Sequence, residues 1–174
     1  QNDEAVLEKL THGGPKRWSK ELTTPITRGV QKPFAVDTIG VPFENPYGAL
    51  FFISGIDFLP DGAAAVSTMT GEVWLVRGLA GDQAVWRRYA TGLHQALGVK
   101  VVDGKVLVLG RDQITRLHDL NGDGEADYHE CVFNGYATSP GGHDFVVGLE
   151  RDDIGRFYVA SGNQGLLRLT LPDK

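Results

Sequence analysis

Gly98–Gly104, G-V-K-V-V-D-G, is the middle of three passages that decide the fold. G-I-D-F-L-P-D-G opens at Gly55, 43 residues earlier, and G-L-E-R-D-D-I-G opens at Gly148, 50 residues later. Each begins with Gly, runs on as a short strand and turns at Asp-Gly or Ile-Gly. A second strand follows in each unit, at Ala63–Thr68, Lys105–Leu109 and Arg156–Ser161. After a polar loop comes a third, at Val73–Arg77, Ile114–Leu117 and Leu166–Thr170. Fourth strands fit at Ala84–Tyr89 and Tyr128–Phe133.

Periods of about 40 to 50 residues with three or four strands each are what a β-propeller blade needs. The expectation is an all-β fold: a partial β-propeller with about three four-stranded blades, near 48–91, 92–140 and 141–174. Residues 1–33 precede it as an N-terminal arm that wraps the surface, with one short helical pattern at Glu4–Leu10. A β-sandwich with chance likeness between hairpins is the alternative. Three blades do not close a ring, and an open arc leaves unpaired edges and bare blade faces. The expected partners are therefore the remaining blades of a longer parent chain, or further copies of this one. The third unit stops after its third strand, at Pro172, in keeping with a truncated blade.

Composition agrees with many tight turns. Glycine supplies 23 of 174 residues, roughly twice the ordinary share of about 7%. Seventeen basic against 22 acidic residues, spread along the chain, give a net charge of −5 and no basic stripe, which argues against nucleic acid as a partner. No apolar run approaches the roughly 20 residues of a membrane-spanning helix. The polar start, Q-N-D-E-A-V-L-E-K-L, is not a signal peptide, so any export signal has been removed or never existed. The single cysteine, Cys131, excludes an internal disulfide, a C-x-x-C pair and a C-x-x-C-H haem attachment, and reads as a small buried hydrophobe.

Asp119–Glu130, D-L-N-G-D-G-E-A-D-Y-H-E, carries the strongest chemical signal, a complete match to the twelve-position calcium pattern. Calcium takes six to eight oxygens, so carboxylates and carbonyls must converge from one short loop. Asp119, Asn121 and Asp123 offer side-chain oxygens, Gly124 the bend, Glu125 its main-chain carbonyl and Asp127 the ninth position. The flanks read as strands rather than helices, and three residues of extended chain advance about 10 Å. Glu130 is therefore a doubtful ligand, and the first five are the expected set. A metal-free acidic hairpin is the plainer alternative.

In a four-stranded blade the lead-in to the first strand and the loop between the second and third share one face, while the calcium loop lies on the other. On the first face the sequence assembles His94 and Gln95, His143 and Asp144, Thr70, Arg111, Asp112 and Gln113, and Asn163 and Gln164. A neutral imidazole takes a proton from a hydroxyl near pH 7 and a guanidinium steadies negative charge, so the candidate catalytic residues are His143 as general base, His94 and Arg111. The competing reading makes the histidines hydrogen-bond partners between blades and pairs Arg111 with Asp112 in one loop. Trp74, Trp86 and Tyr89 read as packing. His12, His118 and His129 have no partner pattern, and no G-x-S-x-G, P-loop or H-E-x-x-H is present.

Four segments carry a family likeness: N-P-Y-G-A-L-F-F from Asn45, G-E-V-W-L-V-R-G-L from Gly71, W-R-R-Y-A-T-G-L-H-Q-A-L-G from Trp86 and G-R-D-Q-I-T-R-L-H-D-L-N-G-D-G-E-A-D from Gly110. Through them Val36–Leu169 resembles the propeller of large secreted proteins of planctomycete type, labelled membrane-bound dehydrogenases or haem-domain proteins. These are similar at a distance to quinoprotein glucose and sorbosone dehydrogenases. The resemblance implies a secreted or periplasmic protein with a six-bladed ring, followed in some members by a cytochrome-c-like domain that accepts electrons. It further implies oxidation of a sugar hydroxyl or aldehyde with pyrroloquinoline quinone, in which His143 and Arg111 would serve, although the family's whole quinone-binding set does not align here. The alternative from another class is a non-catalytic propeller that binds carbohydrate or protein, and a lyase or hydrolase acting on oxidised sugars has no discriminating motif.

Overall fold

The computed structural model describes residues 3–138 and 140–171. One helix, α1 (Asp3–Leu10), precedes thirteen strands: β1 (Leu22–Thr27), β2 (Thr38–Ile39), β3 (Ile53–Phe58), β4 (Ala64–Thr68), β5 (Glu72–Arg77), β6 (Gln83–Ala90), β7 (Gly98–Val102), β8 (Lys105–Leu109), β9 (Ile114–His118), β10 (Tyr128–Phe133), β11 (Val146–Arg151), β12 (Phe157–Ser161) and β13 (Gly165–Leu169). The described residues are all-β apart from α1, and no helix among them is long and apolar enough to cross a membrane.

The strands form three antiparallel sheets, ordered β2-β1-β6-β5-β4-β3, β10-β9-β8-β7 and β11-β12-β13. Each of the three repeated passages becomes the first strand of one sheet. Asp103 and Gly104 take φ of 51° and 75° and join Val102 to Lys105 in a two-residue hairpin, the turn that an Asp-Gly pair favours. Pro172, where the third unit was expected to stop, lies outside the described residues.

The first sheet has six strands, where four were expected. Leu22–Pro25 of the arm pair with Gln83–Trp86 on β6, so the arm enters the sheet instead of only wrapping it. Trp86 Nε1 donates to Thr24 Oγ1 at 2.9 Å, an interaction that satisfies a buried indole through a residue 62 positions away. The β-branched run at Leu22–Thr27 was obscured by its central Pro25, which usually demotes a strand.

Packing explains the almost unbroken apolar runs at β4 and β8. Ala65, Val73, Leu75 and Tyr89 of the first sheet meet Val99, Val106, Val108 and Leu117 of the second. Leu107, Leu109 and Ile114 on the reverse of the second meet Val146, Leu149, Phe157 and Val159 of the third. On its other face the first sheet buries Ala64, Val66, Trp74 and Trp86 against Ile26, Ala49 and Phe51. Both faces of a central strand are thus core, and alternation disappears. Trp74, Trp86 and Tyr89 are all buried, as packing residues should be. Cys131 corrects the sequence reading: it is exposed, because β10 is the outermost strand of its sheet and its neighbour Glu130 takes the inward position.

First strands of neighbouring sheets lie unusually close. A Cβ on Gly55 would come within 2.9 Å of Val99 N and 3.1 Å of Gly98 Cα, and one on Gly98 within 3.1 Å of Leu149 N. The repeated opening glycine therefore gives backbone room to approach backbone. Gly55→Ala is expected to lower stability by about 1–3 kcal/mol in urea unfolding, because the backbone of β7 must move to admit the methyl group.

Candidate functional site

Two clusters stand at opposite ends of β9. The acidic loop follows His118, whereas Arg111–Gln113 precede Ile114, and five extended residues separate them by about 17 Å.

The acidic loop is strand-loop-strand, as its sequence indicates. Asp119 Oδ1 accepts from the N–H groups of Gly122 (2.8 Å) and Asp123 (3.1 Å), and Oδ2 accepts from Gly124 (2.8 Å). Asn121 Oδ1 accepts from Asp123 N at 3.0 Å, and Asp123 Oδ1 from Glu125 N at 2.9 Å. Gly124, at φ 86°, makes the bend. These bonds curl Asp119–Glu125 so that oxygens on alternate residues share one loop, the donor chemistry a hard cation requires. Among the described residues no three His, Cys, Asp or Glu side chains converge as a formed metal centre does. Glu130 stands apart from the loop in β10, buried, with Oε2 2.8 Å from His118 Nε2 and 3.2 Å from Arg116 Nη1.

The N-terminal arm closes over this loop. Glu125 is only 3% exposed, and its two carboxylate oxygens accept from the backbone N–H groups of Trp18 (2.8 Å) and Arg17 (2.7 Å). Gly14 N donates to Asp127 Oδ1 at 2.7 Å, and Asn121 Nδ2 donates to Gly14 O at 2.7 Å. Glu125 thus spends its side chain on the arm, and only its main-chain carbonyl remains for an ion. Burial, followed by the nearby charges of Asp119 and Asp127, pushes the Tyr89 hydroxyl up to about 12.

On the other rim Arg111 is a brace between sheets. Its Nη1 donates to Gln95 Oε1 at 3.0 Å, its Nη2 to the carbonyl of Gly141, and its guanidinium lies 5.6 Å from the Phe145 ring. Arg111 N donates to His94 O at 2.9 Å, so the second sheet's loop grips the lead-in to its own first strand. His94 Nδ1 lies 3.9 Å from Asp112 Oδ1, with both side chains about half exposed. His143 is exposed in the turn before β11, and its carbonyl accepts from Phe145 N at 3.1 Å. Gln164 Oε1 accepts from Ala137 N, Asn163 Oδ1 from Ser161 Oγ, and Thr70 donates to Leu50 O. The rim therefore gathers His94, Gln95, Arg111 and Asp112 directly and sets His143 on the adjoining turn.

No protein-family model matches the chain, and no curated protein matches it. A selenomethionine-substituted virginiamycin B lyase from Staphylococcus aureus is similar in structure, at 12% sequence identity and a TM-score of 0.45. The likeness covers 89% of this chain and 46% of the lyase, so the chain spans about half that protein's length.

Arg17, Trp18 and Gly14 are the site residues that sequence reading passed over. Apart from Arg17 Nη2, which donates to Ala126 O at 3.1 Å, their contacts to the loop use backbone N–H and carbonyl groups, which any residue carries, so no motif announces them. Glu125→Ala leaves two inward N–H groups without their acceptor; it is expected to cost about 1–3 kcal/mol in chemical unfolding and to speed tryptic cleavage at Arg17. The raised Tyr89 pKa has a definite sign. Between about pH 10 and 12 the unfolded chain ionises this phenol while the folded one does not, so stability falls by about 1.4 kcal/mol per pH unit. Tyr89→Phe should flatten that part of the alkaline unfolding curve.

Proposed function

We propose that the chain is a calcium-stabilised segment, about three blades, of a β-propeller in an exported protein of the sugar-dehydrogenase type, with a ring of six blades when complete. Support for the propeller comes from three antiparallel sheets stacked through their first strands, with β3 against β7 and β7 against β11. Support for calcium, the observation on which the proposal turns, is the curled Asp119–Asp127 loop. Asp119, Asn121, Asp123 and Asp127 would contribute side-chain oxygens and Glu125 its carbonyl. Bound there, calcium would pin the β9–β10 hairpin and stand away from the rim that holds His94, Arg111 and His143.

On that rim His143 would take the proton from a sugar hydroxyl or aldehyde hydrate, with His94 and Arg111 beside it, while the hydride would pass to a two-electron acceptor held outside this segment. The quinone that the family likeness implies does not fit this segment alone. A tricarboxylate quinone needs cations free to meet it, whereas Arg111 already donates to Gln95 and Gly141. The same engagement favours the second reading, a propeller whose rim recognises carbohydrate or protein without turnover, a cytochrome-c-like electron acceptor being needed only for the first. Secretion or periplasmic residence belongs to both readings through the resemblance.

Calorimetry of the purified chain during calcium titration is the direct test. A ligand held a hundredfold above its dissociation constant adds about 2.7 kcal/mol, so the melting temperature should rise by several degrees. Asp123→Asn should weaken that rise, and magnesium should give less of it. An unchanged melting temperature in saturating calcium sinks the metal reading. Dye reduction with quinone, calcium and a sugar panel separates the enzyme from the binding module.

A further inference from the structure

The residue two after each opening glycine forms a single row across the three first strands: Asp57, Lys100 and Glu150. Lys100 Nζ lies 3.8 Å from Asp57 Oδ2 and 2.9 Å from Glu150 Oε2, so the row alternates negative, positive, negative. Asp57 and Lys100 each face the following sheet. Asp57 pairs in register with Ala65, which faces the second sheet, and its Oδ2 accepts from Val101 N at 2.7 Å. Lys100 pairs with Leu107, which faces the third. Glu150 pairs with Tyr158 on the face that turns away from the second sheet, and its side chain is 74% exposed.

That face is open. A Cβ on Gly148 would meet nothing within 4 Å, where the corresponding Gly55 and Gly98 each touch the next first strand. Val147 and Leu166 flank it, exposed by 42% and 77%. At the other end of the stack the first sheet offers an apolar groove of about 190 Å³, lined among others by Ile53, Ile56 and Phe58.

We infer that the free face of the third sheet receives a further antiparallel sheet whose first strand carries Lys or Arg in this row, and that it rejects a second copy of the chain. Stacking a second copy there would bring its Asp57 against Glu150, and like charges so placed disfavour the pair. A basic residue would instead continue the alternation, and the N–H after it would meet Glu150 as Val101 meets Asp57. The inference rests on the propeller reading only for the side-by-side stacking of sheets, and it is independent of calcium and of catalysis.

Sedimentation velocity of the intact chain and of Glu150→Lys, a change at an exposed site, supplies the test. The wild-type chain should run as a monomer. Glu150→Lys presents a cation to the Asp57 of another copy, and should associate at least about tenfold more tightly, less so at high salt. Adding Ile56→Lys, which spoils the receiving groove, should return it to a monomer. Three results would overturn the inference: self-association of the wild-type chain, a monomeric Glu150→Lys, or association that survives Ile56→Lys. Calcium titration of the monomeric double variant keeps the readings apart, since its melting temperature answers for the loop whatever the masses show.

Discussion

A strand that reads Ala64-Ala65-Val66 or Val106-Leu107-Val108 has no polar side to give to water, so its sheet must be covered twice. That requirement orders the molecule. The second sheet is sandwiched between the other two, and the first, lacking a preceding sheet, covers part of its outer face with Ala49 and Phe51 from the segment ahead of β3. Burying an apolar side chain is worth about 1.5–3 kcal/mol, so a stack with two such interfaces draws most of its stability from contacts between sheets. Gly55 and Gly98, in the first strands of the first two sheets, let neighbouring backbones come close enough for those interfaces to close.

Stacking also separates chemistry by rim. Because consecutive hairpins reverse direction, the loop after β9 and the loop before it cannot share an end of the sheet. The acidic loop consequently falls beside the arm and Tyr89, and the histidines and Arg111 fall beside the lead-ins to β7 and β11. One rim is built to hold a hairpin in shape. The other ties two sheets together and leaves His94 and His143 facing solvent.

The arm links the two levels. It extends the first sheet by pairing with β6, then reaches the second sheet's acidic loop through Gly14, Arg17 and Trp18. Glu72 shows how far this interlocking goes. Its carboxylate, in the buried start of β5, accepts from Trp74 Nε1 and from Arg88, whose guanidinium lies over the rings of Trp18 and Tyr47. A charge pair so enclosed stabilises little by itself but is costly to break, and it holds the Arg88 guanidinium against the arm's Trp18 ring.

Period and turn chemistry made the first strands, the Asp103-Gly104 hairpin, the strands on either side of Asp119–Asp127 and the burial of Trp74 and Trp86 legible from sequence, because these features depend on neighbours two to ten residues apart. The same local logic set Glu130 apart from the loop. What lay beyond it were pairings across long separations: Leu22–Pro25 joining β6, Glu125 turning to the arm, Cys131 facing outward and Arg111 bridging Gln95 and Gly141. Each depends on which strands and groups the tertiary fold brings together, and the backbone N–H and carbonyl groups in most of these contacts leave no mark in composition or spacing.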